Sequence, residues 1–118
     1  MIYNELAYAR LSATSFAYAA PNAVVFSNEG ALTKIPTPCD VQRWATVGEN
    51  KFLLVCDLSG DTLVVIDLEE QKIVKTVPTS YPGPNISDLC GRLEDEGRKL
   101  RVYAVVETTV YDAVIDLP

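Results

Sequence analysis

Four side chains that carry acidic or phenolic oxygens lie beside turns of the sequence, where a ligand could reach them. Asp57, Asp61 and Glu107 border short polar turns that follow apolar runs, and Tyr81 lies in a proline-rich loop. A ring of such carboxylates would bind a divalent cation or a basic partner. Aspartate in a turn more often bonds its own backbone. We therefore favour ordinary turn residues over a ligand rim at these positions.

Trp44 and Arg43 form a second candidate group. Tryptophan, arginine and tyrosine are the side chains that most often anchor protein interfaces, so these two residues and Tyr81 would suit a recognition surface. Packing of Trp44 between adjacent sheets is the alternative, and it is the one that we favour.

The three cysteines, Cys39, Cys56 and Cys90, show none of the short spacings of metal sites. Cys56 lies inside an apolar run and is expected to be a small buried hydrophobe. A disulfide between Cys39 and Cys90 is one alternative. Three free thiols in a reducing compartment is the other, which we favour, and the cytoplasm is the default location.

The composition argues against several classes of function. The chain has no histidine, so it lacks the commonest general base and the commonest neutral metal ligand. No nucleophile has an identifiable base beside it, and no catalytic residue is assigned. Ten basic residues against sixteen acidic ones give a net charge of −6, which disfavours nucleic-acid binding. No apolar run has the length of a membrane span. A non-enzymatic module with a protein partner, and no cofactor beyond the divalent cation considered above, is therefore expected.

Residues 51–77 show the clearest structural pattern, three short strands joined by two tight turns. The runs 52–56 and 63–66 are continuously apolar and rich in Val, Ile and Leu, as is typical of strands covered on both faces. A Ser-Gly-Asp turn separates them. After a second polar turn, residues 72–77 alternate as in a more exposed strand, and Pro78 ends that strand.

Two segments fit both a strand and a helix. In residues 4–20 the apolar positions have helical spacing, but residues 6–19 also alternate, with alanines on one face, and this alternation favours strands. Residues 87–96 fit a short helix capped by Ser87, or a strand at 86–90 followed by an acidic turn.

Parts of the chain resemble one another. Residues 61–68 match residues 110–117 at an offset of 49 (110 − 61), with the sequence Val-Ile-Asp-Leu identical in both. A fainter copy covers the N-terminal third. The repeated Asp67 and Asp116 are expected to hold turns. The chain, 1–118, is thus a single domain of three units, at about 1–38, 39–79 and 80–118.

Each unit predicts a four-stranded antiparallel meander, and the last unit lacks its fourth strand. The fold class is therefore all-β, and units of this length with four strands are typical of β-propeller blades. The alternative is a β-sandwich or open barrel of about ten strands, with a helix at the N-terminus if residues 1–20 do not form strands.

Residues 84–106 resemble the start of a YVTN-type propeller repeat, which runs from a proline through a short strand to Asp-Gly-Arg/Lys and Leu-Tyr-Val. Residues 62–78 resemble its second half, where a Val-Ile-Asp strand leads through a turn to Lys-Val-Val. Residues 94–97 depart from the usual Pro-Asp-Gly turn. The resemblance implies propeller blades. Because some propellers of this kind are enzymes, it also implies a carboxylate-lined enzyme or metal-dependent hydrolase as the alternative function.

Three blades are too few for a closed ring, since propellers typically have four to eight. The chain is then either an excerpt of a longer protein or an obligate oligomer. We predict a homodimer that forms one six-bladed ring and acts as a scaffold or protein-interaction module. In that dimer the partner's N-terminal segment would help to complete the third blade. A monomeric sandwich would need no partner.

Overall fold

The computed structural model describes residues 8–81 and 85–118. In this part of the chain it contains eleven strands in three antiparallel sheets and no helix, so the all-β prediction is confirmed. None of the described residues belongs to a helix that could cross a membrane. Each sheet is a meander, in which strands that follow one another along the chain pair with one another.

Sheet 1 comprises β1 (Tyr8–Arg10), β2 (Ser15–Ala20), β3 (Ala23–Asn28) and β4 (Ala31–Pro36), paired in that order. The strand interpretation of the N-terminal segment is thus confirmed for β1 and β2, while residues 1–7 lie outside the described residues.

Sheet 2 comprises β5 (Arg43–Val47), β6 (Phe52–Cys56), β7 (Thr62–Asp67) and β8 (Lys72–Pro78). The turn between β7 and β8 is held by Asp67, whose Oδ1 accepts hydrogen bonds from the backbone N–H groups of Glu69 and Glu70 at 2.9 and 2.8 Å. Asp67 therefore holds the turn, as the sequence predicts for it.

Sheet 3 comprises β9 (Asp88–Glu94), β10 (Lys99–Val106) and β11 (Thr109–Asp116). The strand alternative for residues 87–96 is confirmed and the helical alternative is wrong, but β9 covers Asp88–Glu94 and not the predicted 86–90, so the strand extends into the start of the expected acidic turn. Tertiary pairing decides between them, because β9 pairs with β10 over seven residue pairs. Among the described residues no strand pairs with the outer side of β11.

The repeat seen in the sequence is also a repeat of geometry. Just after β7 the Leu68 N–H donates to the Lys51 carbonyl oxygen at 3.0 Å, and just after β11 the Leu117 N–H donates to the Arg98 carbonyl oxygen at 2.9 Å. Each bond closes the same end of a hairpin formed by the second and third strands of its sheet. The identical Val-Ile-Asp-Leu segments therefore occupy equivalent places in sheets 2 and 3.

Sheet 2 lies between the other two sheets and buries both of its faces. Alternate residues of a strand point to opposite faces, so Leu53 and Val55 face sheet 1 while Leu54 and Cys56 face sheet 3, and all four are at most 1% exposed. Two apolar cores result, one on each side of sheet 2. The first strands of sheets 2 and 3, β5 and β9, also contact each other directly.

Candidate functional site

The turn between β6 and β7 packs against the connection from β8 to β9. Gly60 lies at the centre of this contact with a φ of 77°, and a Cβ atom placed on it would be 2.1 Å from Ile86 Cδ1 and 3.0 Å from Tyr81 Cδ2. The Thr79 N–H donates to the Asp61 carbonyl oxygen at 2.9 Å, and the Thr79 hydroxyl donates to that of Gly60. We call this group of residues, 57–61, 79–81 and 85–87, the loop cluster.

Asp57 and Asp61 lie in the loop cluster, at the turn where the sequence predicts them. Asp57 is half-buried, and its Oδ1 accepts a hydrogen bond from the Asp61 N–H at 2.9 Å. Its carbonyl oxygen also accepts from the Gly60 N–H at 3.1 Å. These bonds close the turn. The Asp61 carboxylate is exposed, and a role for either carboxylate in binding a cation or a partner stays a prediction.

Tyr81 is half-buried, and its ring lies 5.9 Å from that of Tyr111 on β11, at an angle of 56°. Burial raises the pKa of the Tyr81 phenol, so the hydroxyl stays protonated at neutral pH. Glu107 is exposed in the two-residue turn between β10 and β11, the sheet 3 counterpart of the turn that holds Asp57. The structure thus joins Tyr81 to Asp57 and Asp61 in one cluster and places Glu107 at the next turn.

Arg43 and Trp44 are neighbours on β5 and point to opposite sides of sheet 2. The Arg43 Nε donates to the Ile86 carbonyl oxygen at 2.6 Å, so this side chain supports the loop cluster from the sheet 3 side. Trp44 packs against the core between sheets 1 and 2, and its buried indole N–H has no hydrogen-bond partner among the described residues. Trp44 and Tyr81 consequently do not share a surface.

The two buried cysteines are not activated as nucleophiles. All three are free, with Cys39 and Cys56 buried and Cys90 exposed. Burial, with Asp57 next to it, raises the pKa of the Cys56 thiol to about 12. Burial, with Asp57 and Asp40 nearby, also raises the pKa of Cys39. The thiolate is the nucleophilic form, so neither buried cysteine is activated. The described residues contain no group of three His, Cys, Asp or Glu side chains placed to hold a metal ion.

A charged network covers the face of sheet 3 that points away from sheet 2. Arg101 on β10 bonds Glu94 on β9 at 2.7 Å and Asp112 on β11 at 2.6 Å. Lys99 bonds Asp116 at 2.7 Å, again between β10 and β11. The sequence signal for this network was an alternation of charged residues along all three strands, but the pairs follow only from the registers of the strands.

The exposed apolar side chains lie on the outward faces of the two end sheets. The large hydrophobic residues that are exposed among those described are Leu32 (65%), Val110 (60%) and Val114 (43%). Leu32 on β4 points away from sheet 2, because Ile35 on the same strand packs against the core between sheets 1 and 2. Val110 and Val114 point away from sheet 2, because Ile115 packs against the core on the inner face.

Comparison with solved structures identifies proteins with a similar fold. No family model and no curated protein sequence matches the chain. The structure is similar to that of Kuenenia stuttgartiensis hydrazine synthase, with a TM-score of 0.61, 15% identity and coverage of 98% of this chain and 34% of that one. For Kluyveromyces lactis Hsv2 the TM-score is 0.60, with 14% identity and coverage of 84% and 33%. For the RRP9 WD40 repeats the TM-score is 0.57, with 13% identity and coverage of 98% and 42%.

These similarities show the fold and no more. The chain spans between a third and about two fifths of the length of these structures. Because they include WD40 repeat structures, the three sheets are propeller-like blades, and sheets 1, 2 and 3 are blades 1, 2 and 3 from here on. Membership of the YVTN-type repeats stays a prediction.

Proposed function

We propose that this chain is a non-enzymatic protein-interaction scaffold, built from propeller blades and completed by a second copy of itself. The observation that carries the proposal is the position of the exposed hydrophobic residues, on the outward faces of the two end blades. Apolar side chains gathered on one face mark interaction surfaces on soluble proteins. The likeness to WD40 repeat structures supports a role as an interaction module.

Each of the two outward faces places a charged side chain beside an exposed apolar one. On blade 1, Leu32 is followed two residues later by Lys34, which therefore shares its face. On blade 3, Asp112 lies between Val110 and Val114 on one face. A head-to-tail contact around a two-fold axis would bring blade 1 of one copy against blade 3 of the other, twice, and would close a ring of six blades.

The proposed ring accounts for the difference in buried faces between the middle blade and the end blades. Blade 2 buries both of its faces, whereas blades 1 and 3 each bury one against blade 2. The second copy would cover the remaining two faces. We also propose that the second copy's N-terminal segment helps to complete blade 3; residues 1–7 of that segment lie outside the described residues. We further propose the cytoplasm as the location, where the three free thiols would stay reduced.

Sedimentation equilibrium over a wide range of concentration tests the proposal. The wild-type chain is expected to have the mass of a dimer, and Leu32→Asp should weaken association by about tenfold or more, because it puts a carboxylate into the apolar contact that the ring would bury. Since Leu32 is exposed in one copy, the variant should fold normally. The matched control is Thr76→Asp, the same charge change at an exposed position on β8 of blade 2.

The control should leave the dimer unchanged. A wild-type chain that is monomeric at every concentration would overturn the proposed ring, and equal effects of Leu32→Asp and Thr76→Asp would overturn the assignment of the contact to the outward faces. Circular dichroism of each variant separates loss of association from loss of fold.

A further inference from the structure

β4 forms one edge of blade 1. It pairs with β3 from Ala31 to Pro36 in an unbroken register, and among the described residues no strand pairs with its other side. The two strands are joined by Glu29 and Gly30, whose φ values of 51° and 88° are both positive, as in the type I′ turn of a two-residue hairpin. β4 is thus a regular edge strand with a row of unpaired main-chain groups.

The turn fixes which main-chain groups are unpaired. In a two-residue hairpin the residues on either side of the turn bond each other, so the N–H and C=O groups of Ala31 point to β3. The direction then alternates along the strand, and the Thr37 N–H, which has the same direction as that of Ala31, donates to the Asn22 carbonyl oxygen at 2.9 Å. The N–H and C=O groups of Leu32 and Lys34 therefore point to the free edge.

The equivalent strand of blade 2 is less suited to further pairing. The register between β7 and β8 shifts between Val65 and Ile66, which leaves Val74 of β8 without a partner on β7. Bulges and lysines on an edge strand hinder pairing with another strand. β8 has this bulge and two lysines, whereas β4 has no bulge and one lysine. Of the two fourth strands, β4 is the better acceptor.

Two side chains beside the free edge define what a further strand would carry. Leu32 and Lys34 lie on the same face of blade 1. Leu32, at 65%, is the most exposed of the large hydrophobic residues described, and Lys34 is exposed and forms no ion pair with the described residues. On the β3 side Lys34 lies opposite Val25. A strand on the free side is therefore the one that would place a carboxylate directly opposite Lys34.

Blade 3 contains the kind of pair that Lys34 lacks. Lys99 of β10 lies directly opposite Asp116 of β11, and their side chains form an ion pair at 2.7 Å. Opposite charges at opposed positions stabilise strand pairing, and like charges destabilise it. A strand with a carboxylate opposite Lys34 would repeat this arrangement, and an apolar side chain opposite Leu32 would cover its exposed surface.

We infer that the free edge of β4 binds an extended segment of a partner protein as the fifth strand of blade 1. The segment runs antiparallel to β4, with an acidic residue opposite Lys34 and, two positions later, an apolar residue opposite Leu32. The inference rests on the proposed role in protein interaction. A second copy's β4 fits this edge less well, because it carries a lysine and no acidic residue. The proposed ring uses the outward face of blade 1 and leaves the main-chain groups of this edge free.

Fluorescence anisotropy with labelled peptides tests the inference on the full chain. The first peptide, TTETVTT, has glutamate and valine at the two stated positions, and the matched peptide, TTKTVTT, replaces the glutamate with lysine. TTETVTT should bind wild-type protein at least about fivefold more tightly than TTKTVTT, because the lysine of the second peptide would lie opposite Lys34.

Charge reversal at Lys34 tests the position of the segment. Lys34→Glu should reverse the preference, so that TTKTVTT binds more tightly than TTETVTT. The matched control is Lys75→Glu, the same charge change at an exposed position on β8, and it should keep the wild-type preference. Both lysines are exposed, so both variants should fold normally.

Two variants of Leu32 test the main-chain bonds. Leu32→Pro removes an outward N–H and none of the bonds to β3, a position at which an edge strand tolerates proline. It should weaken binding of TTETVTT by about tenfold or more. The matched control, Leu32→Ala, keeps the N–H and removes apolar surface, and should weaken binding only a few-fold.

Four results would overturn the inference. They are no binding of TTETVTT to wild-type protein, equal binding of the two peptides to it, an unchanged preference in Lys34→Glu, and equal binding of TTETVTT to folded Leu32→Pro and Leu32→Ala. Tighter binding of the β4 peptide, ALTKIP, than of TTETVTT would reassign the edge to a second copy and overturn the partner stated here.

The mass of the wild-type chain in solution separates this inference from the proposed ring. A monomer that binds TTETVTT with the stated preference would overturn the ring and support the inference. A dimer that binds neither peptide would leave the ring standing and overturn the inference.

Discussion

Gly60 occupies a position that suits only glycine, at the contact between blade 2 and the segment that leads into blade 3. Its φ of 77° lies in the left-handed region, and the space where a Cβ would sit is taken by Ile86 of the next blade's entry segment. The Ser-Gly-Asp sequence predicts a turn here from its composition alone. It does not predict that the turn is pressed against Ile86, because that contact depends on how blades 2 and 3 pack.

A pair of glycine substitutions separates backbone strain from steric conflict. Gly60→Ala should lower the free energy of unfolding by about 3 kcal/mol, since left-handed strain costs about 1–2 kcal/mol and overpacking a further 1–3 kcal/mol. Gly97→Ala, at a φ of 84° with nothing within 4 Å of its added Cβ, should cost about 1 kcal/mol from strain alone. Urea denaturation measures both. Equal losses would contradict the packing of Ile86 against Gly60.

At the scale of the strands, Arg101 links all three strands of blade 3 through ion pairs. It sits on the central strand, β10, and its guanidinium bonds Glu94 on one neighbour and Asp112 on the other. The Arg101 bond, with Arg92 contributing, holds the pKa of Glu94 below its ordinary value of 4.5. A carboxylate whose pKa is lower in the folded state favours folding above its ordinary pKa, and this contribution disappears as the pH falls through the folded value.

Blade 3 should therefore lose stability in acid partly through Glu94. Between neutral pH and about 4.5 the ion pairs persist, and below that the free energy of unfolding of the wild type should fall as Glu94 takes up a proton. Glu94→Gln should be less stable at neutral pH and should show a shallower decline in acid. Glu69→Gln is the control, because Glu69 forms no ion pair with the described residues. Urea titrations across this pH range measure the slopes, and parallel slopes for wild type and Glu94→Gln would refute the effect.

The strands were largely predictable because their signals are local. The runs 52–56 and 63–66 are apolar on both faces since blade 2 is covered on both faces, and the repeated Val-Ile-Asp-Leu segment marks the third strand of blades 2 and 3. Residues 87–96 were ambiguous because their local pattern fits two structures, and pairing with β10 decides.

The candidate site was less predictable, because its contacts join distant parts of the chain. Composition alone places Asp57 and Asp61 at a turn, where the structure also has them. The bond from Arg43 to Ile86 spans 43 residues, and the Arg101 network needs the registers of three strands. No local pattern encodes either. The ligand or partner of the loop cluster stays a prediction.

At the scale of the whole molecule, blade 2 is the element on which both neighbours depend. Its two cores hold blades 1 and 3, and each end blade has one further face that carries exposed apolar side chains. An open arc of blades therefore has two unsatisfied ends, whereas a closed ring has none. A closed ring therefore needs further blades, which the proposed second copy would supply.

Binding of a divalent cation to the native protein separates the two proposed functions. The scaffold needs no such cation, whereas the alternative, a carboxylate-lined enzyme or metal-dependent hydrolase, would bind one. For the scaffold, the melting temperature should be the same with Ca²⁺, Mg²⁺, Mn²⁺ or a chelator. A cation held by Asp57, Asp61 and Glu107 would stabilise the native state by mass action, by about 2.7 kcal/mol at a hundred times its Kd. Glu107→Gln is the informative variant, because Glu107 is exposed in its turn and outside the loop cluster. A rise in melting temperature that a chelator reverses and Glu107→Gln removes would favour the metal-dependent alternative over the scaffold.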